Sequence, residues 1–106
     1  MIVVVGSALI LDGRGEEALA LSLDHVRRSR AEPGCMSHFV HHDAENPRRL
    51  VFVEEWQDLP ALQMHFQVPE SRKFAKALAS LCDGRPSMQV YESETVDPFR
   101  QSDHTR

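Results

Sequence analysis

The sequence predicts an α+β fold of the ferredoxin-like type, with strand, helix, strand, strand, helix and strand arranged around one antiparallel sheet. Three observations predict it. Four short apolar or alternating runs are separated by two helical regions in that order. The two middle runs are joined by about five polar residues, a link short enough to force an antiparallel hairpin. The length, 106 residues, suits a single domain with one modest core.

Each element follows from its own residues. Residues 2–11 (IVVVGSALIL) are β-branched and nearly all apolar, as in a buried strand. Gly6-Ser7 interrupts the run and marks a bulge or a close backbone approach. Asp12-Gly13 and Gly15 then form a turn. Residues 16–31 read as a helix with Leu19, Leu23 and Val26 on one face and Ser22 beside them. Glu16 and Glu17 near its start, and Arg27, Arg28 and Arg30 near its end, complement the helix dipole. Pro33-Gly34 stops it. Residues 35–42 (CMSHFVHH) are the second strand, 43–47 (DAENP) the turn, and 49–56 (RLVFVEEW) the third strand. Asp58 is placed to cap a short helix, with Pro60 in its first turn and Leu62, His65 and Phe66 on one face. Val68-Pro69 breaks that helix, and another runs to Leu81 with Phe74, Leu78 and Leu81 in phase. Residues 87–96 alternate as a last strand. The domain is thus expected over 1–96, with 97–106 a polar tail or an arm lying on a partner. Helices on one face of a four-stranded sheet leave the other face bare, so a symmetric homodimer is expected to cover it.

Bulk properties narrow the function. The net charge is −4, and the short basic clusters Arg27-Arg28-Ser29-Arg30 and Arg48-Arg49 do not form the concentrated basic face that nucleic acid requires. No apolar run approaches the roughly 20 residues of a membrane span, and the apolar start lacks a charged leader region, so a cytoplasmic protein is expected. Cys35 and Cys82 are far apart and read as small buried hydrophobes. No phosphate-binding or dinucleotide-binding glycine motif is present. His38, His41 and His42 invite a metal reading. However, alternation puts His41 on the face opposite His38 and His42, and those two lie roughly 13 Å apart on a strand, so no metal is expected.

The segment EPGC at Glu32–Cys35, then E-x-W-x-D at Glu54, Trp56 and Asp58, A-L-x-x-H at Ala61, Leu62 and His65, and the helix SRKFAKAL resemble the antibiotic biosynthesis monooxygenase family. The resemblance runs over residues 2–96. It implies a dimeric α+β barrel with a pocket between sheet and helices in each subunit. Members oxidise phenols, anthrones or quinols with molecular oxygen and no cofactor, others degrade haem, and relatives isomerise small metabolites. In the haem-degrading relatives an asparagine stands on the first strand. This chain has Gly6-Ser7 in that region and no asparagine, so haem chemistry is not expected.

Within that frame the candidate residues take roles. His65 is the expected base, since imidazole titrates near pH 6.5. Trp56 either fills the core or walls a ring-shaped substrate and aims its N–H at a substrate oxygen. Phe39, Phe52, Leu62, Phe66, Phe74 and Tyr91 are the expected substrate contacts. Glu54 is either a buried acid with a raised pKa or the partner of an arginine across the dimer, and Asp58 is a helix cap. The expected activity is cofactor-independent monooxygenation of a small aromatic. An isomerase acting in the same pocket and a non-catalytic ligand-binding dimer are the alternatives.

Overall fold

The computed structural model describes residues 1–101. Within them the order is β1 (Ile2–Leu9), α1 (Gly15–Ser29), β2 (Cys35–Asp43), β3 (Asn46–Trp56), α2 (Leu59–Gln67), α3 (Pro69–Ser80) and β4 (Ser87–Glu92). The sheet is fully antiparallel with strand order β2-β3-β1-β4. This is the ferredoxin-like arrangement that the element order predicts.

Alternation decides which face each strand buries. Ile2, Val4 and Ala8 of β1 and Leu50, Phe52, Glu54 and Trp56 of β3 point to the helices. Gly6 pairs with Phe52 on one side and Met88 on the other with no bulge. Of the two readings it is the close approach that holds, since a Cβ there would lie 3.4 Å from the Ser87 carbonyl. The hairpin turn is tighter than five residues. Asp43 accepts from the Glu45 amide at 2.8 Å, and β3 already begins at Asn46. Pro47 is tolerated there because the ladder with β1 reaches only to Arg49. The last strand stops at Glu92, short of residue 96, where the Ser93 amide donates to the Met1 carbonyl. Residues 97–101 are exposed, and the rest of the expected tail, 102–106, lies outside the described residues.

Helix α1 buries Ala18, Ser22, His25, Val26 and Ser29. This face is rotated from the expected one, and Leu19 and Leu23 sit only at its flanks. Small side chains at positions 18, 22 and 29 let the helix lie close to the sheet. Asp58 caps α2 by accepting from the Ala61 amide at 2.9 Å, with Pro60 in the first turn. Asp58→Ala is expected to cost about 1 kcal/mol in urea unfolding, and Asp58→Ser much less. Val68 is extended, as a residue before proline must be, and separates α2 from α3.

The core divides into two clusters. Ala8, Ile10, Val26, Leu50, Phe52, Leu78 and Leu81 form one. Ile2, Val4, Trp56 and Leu62 form the other. Between them, at Gly6 on β1 and Glu54 on β3, runs a seam of buried polar groups that includes His25, His38 and His65. On the opposite sheet face Val5, Phe39 and Tyr91 are exposed. No helix among the described residues is long and apolar enough to cross a membrane.

Candidate functional site

Three elements deliver three imidazoles to the seam. His25 comes from the buried face of α1, His38 from β2 and His65 from α2. All three are buried, at 3%, 0% and 4% exposure. Their ring centroids lie 5.2 Å (His25–His38), 5.3 Å (His25–His65) and 5.5 Å (His38–His65) apart. The His25 ring is stacked on Phe74 at 3.9 Å and 6°, which fixes its plane.

Two carboxylates stand behind this cluster. Glu32 Oε1 lies 2.7 Å from His65 Nδ1. A carboxylate accepts, so the proton sits on Nδ1 and His65 Nε2 carries the free lone pair. Glu54 accepts from Trp56 Nε1 at 2.9 Å, and its Oε1 lies 3.3 Å from His38 Nε2. The latter is an ion-pair distance without hydrogen-bond geometry, so both ring nitrogens of His38 are buried with no hydrogen bond.

Electrostatics follow from this crowding. Burial, then the neighbouring His38 and His65, then Arg28, push the His25 pKa down to about 3. That ring is neutral at physiological pH. Burial alone would raise the pKa of Glu54. The approach of His38, the Trp56 N–H and the charge His65 can carry outweigh it, and Glu54 is held below the usual carboxylate range. Glu54 therefore stays ionised, which removes the raised-pKa alternative, and within its own chain it meets Trp56 and His38.

The histidines close one end of an apolar cavity of about 240 Å³, floored by Gly6 and Phe52 and walled by Phe66, Phe74 and Leu78. Of the expected substrate contacts, Phe52, Phe66 and Phe74 line it. Three do not. Leu62 is buried beside Trp56 in the second core cluster. Phe39 and Tyr91 lie on the other sheet face, 46% and 48% exposed, because Phe39 pairs with Val53 and Tyr91 with Val3, both outward-facing. The Arg30 guanidinium covers Phe39 at 4.5 Å. The phase of β2 is thus the reverse of the expected one: His38 points in and Phe39 out. Trp56 is fully buried and bounds no part of the cavity, so it acts on the site only through Glu54 and the His65 ring, 4.7 Å away. His41 and His42 are exposed.

Sequence reasoning missed His25 and Glu32. His25 shares a helical stripe with Ala18, Ser22 and Ser29, a pattern of small residues that carries the same period as an apolar face. Glu32 precedes the Pro33-Gly34 turn, which folds it back toward α2.

Cys35 packs beside the Trp56 cluster. Burial first, then the charges of Glu32 and Glu54, raise its pKa to about 11. Only the thiolate is alkylated. Its iodoacetamide rate is therefore expected to keep rising about tenfold per pH unit from pH 8 to 10, where an unperturbed thiol levels off near pH 9. A plateau there would contradict this.

Comparison with known proteins gives a family and a fold. The family model described as antibiotic biosynthesis monooxygenase matches residues 1–77. An uncharacterised protein of Synechocystis sp. is 32% identical over 91 residues, covering 86% of this chain and 62% of the relative, so the chain spans less than two thirds of that protein. A solved structure described as an antibiotic biosynthesis monooxygenase superposes with a TM-score of 0.83 at 22% identity, over 90% of this chain and all of the other. A conserved protein of Methanosarcina mazei Go1 gives 0.84 at 24%, over 88% and 92%. A Shewanella oneidensis protein gives 0.79 at 26%, over 85% and 87%.

Proposed function

The chain belongs to the antibiotic biosynthesis monooxygenase family, and from that premise we propose that its cavity takes a small aromatic hydroxyl compound (a quinol, anthrone or similar phenol) and oxidises it with molecular oxygen. The observation that carries the reading is the His65–Glu32 pair, whose free Nε2 belongs to a ring at the closed end of an apolar cavity.

In this reading His65 Nε2 takes the phenolic or benzylic proton, and Glu32 stabilises the resulting imidazolium through Nδ1. The electron-rich anion then reduces oxygen. For an anthrone the balance is one ring CH₂ plus O₂ giving C=O plus H₂O, and the substrate supplies all the electrons. The apolar walls suit an aromatic ring system. A volume of about 240 Å³ suits a small compound of one to three fused rings better than a larger polycycle.

Oxygen uptake with a panel of mono- and bicyclic quinols tests the proposal. Turnover of at least one is expected, and none across the panel would refute it. Gly6 supplies a second check. A Cβ there meets the Ser87 carbonyl at 3.4 Å and Phe52 at 3.6 Å, so larger side chains must grow over the cavity floor. Gly6→Val is expected to raise KM at least tenfold for bicyclic substrates and less for monocyclic ones.

A homodimer belongs to the same proposal. The outward sheet face carries Val5, Phe39 and Tyr91 in the open, a patch that a second copy would cover. Analytical ultracentrifugation is expected to give twice the mass of one chain at micromolar concentration, and a monomer would contradict it.

A further inference from the structure

We infer that His25, His38 and His65 together bind one divalent first-row transition-metal ion at the closed end of the cavity. One ligand nitrogen from each ring lies within 4.8 Å of the others, and all three side chains are buried. A tetrahedral ion with metal–nitrogen bonds of about 2.05 Å holds its nitrogens roughly 3.3 Å apart, which small ring rotations can reach. Each ligand comes from a different element, so the backbone already sets the triangle.

The surroundings fit a metal better than they fit three free imidazoles. Both nitrogens of the fully buried His38 lack a hydrogen bond; an ion on Nδ1 would satisfy that atom and leave the Nε2 proton turned toward Glu54 Oε1, 3.3 Å away. Two of the three rings back onto carboxylates, His65 onto Glu32 and His38 onto Glu54, which is how metal-bound histidines are oriented and made more basic. Arg28 meets His25 Nδ1 at 3.2 Å, so His25 faces the cluster through Nε2. Metal binding there moves the imidazole proton to Nδ1, which ends the hydrogen bond that Arg28 donates to that atom and leaves Arg28 its pair with Asp24 at 3.0 Å. Three neutral nitrogens select zinc, copper, nickel, cobalt or ferrous ions over magnesium and calcium. The cavity leaves a fourth position open, as at a catalytic ion.

This replaces the expectation of no metal. That expectation weighed His38 against His41 and His42 on one strand, whereas the partners of His38 come from α1 and α2. The inference does not depend on the proposed oxygenation, because binding is read without substrate. The two meet at one atom: an ion on His65 Nε2 occupies the base.

The test uses the full, untagged chain stripped with chelator. Calorimetric titration with Zn²⁺ is expected to give one ion per chain, and Co²⁺ to develop the intense visible bands of a four-coordinate site. His25→Gln and His38→Gln are each expected to abolish both signals, and His41→Gln with His42→Gln to leave them unchanged. Glu32→Gln is expected to weaken Zn²⁺ binding 10- to 100-fold. Should the buried variants not fold, the wild-type chain still decides: Zn²⁺ is expected to raise its Tm and Mg²⁺ not to. Stoichiometric binding that survives the buried substitutions would overturn the inference. So would a wild-type chain whose Tm ignores Zn²⁺.

Discussion

His65→Gln is expected to lower quinol oxidation by a factor of roughly 10² to 10⁴, the range that a positioned general base supplies. Glutamine keeps a hydrogen-bonding head of similar length, so the cavity wall and the Glu32 contact are disturbed little. What it lacks is a basic ring nitrogen that can take up the substrate's proton. The loss should fall on kcat more than on KM, because the apolar walls that bind the ring are untouched. Stopped-flow oxygen uptake with any substrate found in the panel reads both constants. A residual rate within threefold of wild type would remove His65 from the chemistry and leave a ligand-binding cavity.

Gly34→Ala is expected to destabilise the domain by about 2–4 kcal/mol, for two separable reasons. Gly34 has φ +82°, the left-handed region that costs an alanine about 1 kcal/mol or more. An added Cβ would also lie 2.5 Å from the Ala61 Cβ, far inside van der Waals contact. Relieving that clash means displacing α2 from the end of β3, where the Gln57 amide donates to the Gly34 carbonyl at 2.8 Å. In a double-mutant cycle with Ala61→Gly, the clash should appear as a coupling of about 1–3 kcal/mol, while the backbone penalty persists. Urea unfolding measures both. Full recovery in the double variant would show that the backbone conformation costs nothing. Because α2 carries His65 and the turn carries Glu32, the single variant should also lose oxidation activity before it unfolds.

Much of the architecture could be read from the chain because it rests on local signals. Pro69 splits the second helical region, Asp58 caps it, and alternation at Leu50, Phe52, Glu54 and Trp56 sets the inward face of β3. The phase of β2 was not legible in the same way. In CMSHFVHH the most apolar residue, Phe39, argues for one phase and Val40 for the other, and only pairing with β3 decides between them. His38 goes inward because its partner Glu54 does. The site was half legible. His65, Phe52, Phe66 and Phe74 could be placed from helix and strand phase. The cluster of histidines could not, since its members lie 13 and 27 positions apart and come together only through the packing of α1, β2 and α2. Trp56 shows the converse. For a large aromatic at a strand end, core and wall readings both stand in the sequence; packing decides for the core, where Trp56 fills the second cluster and its N–H donates to Glu54.

The divided interior bears on how such a scaffold diversifies. Phe52 and Leu78 serve both the first apolar lobe and the cavity, but side chains along the channel that belong to neither lobe, such as Phe66 and Met88, answer to the guest molecule more than to folding. Exchanges at Gly6, Phe66 or Met88 could therefore retune which compound is accepted while leaving the melting temperature nearly where it was. A lineage built this way can change its chemistry at a handful of positions without first acquiring compensating stability.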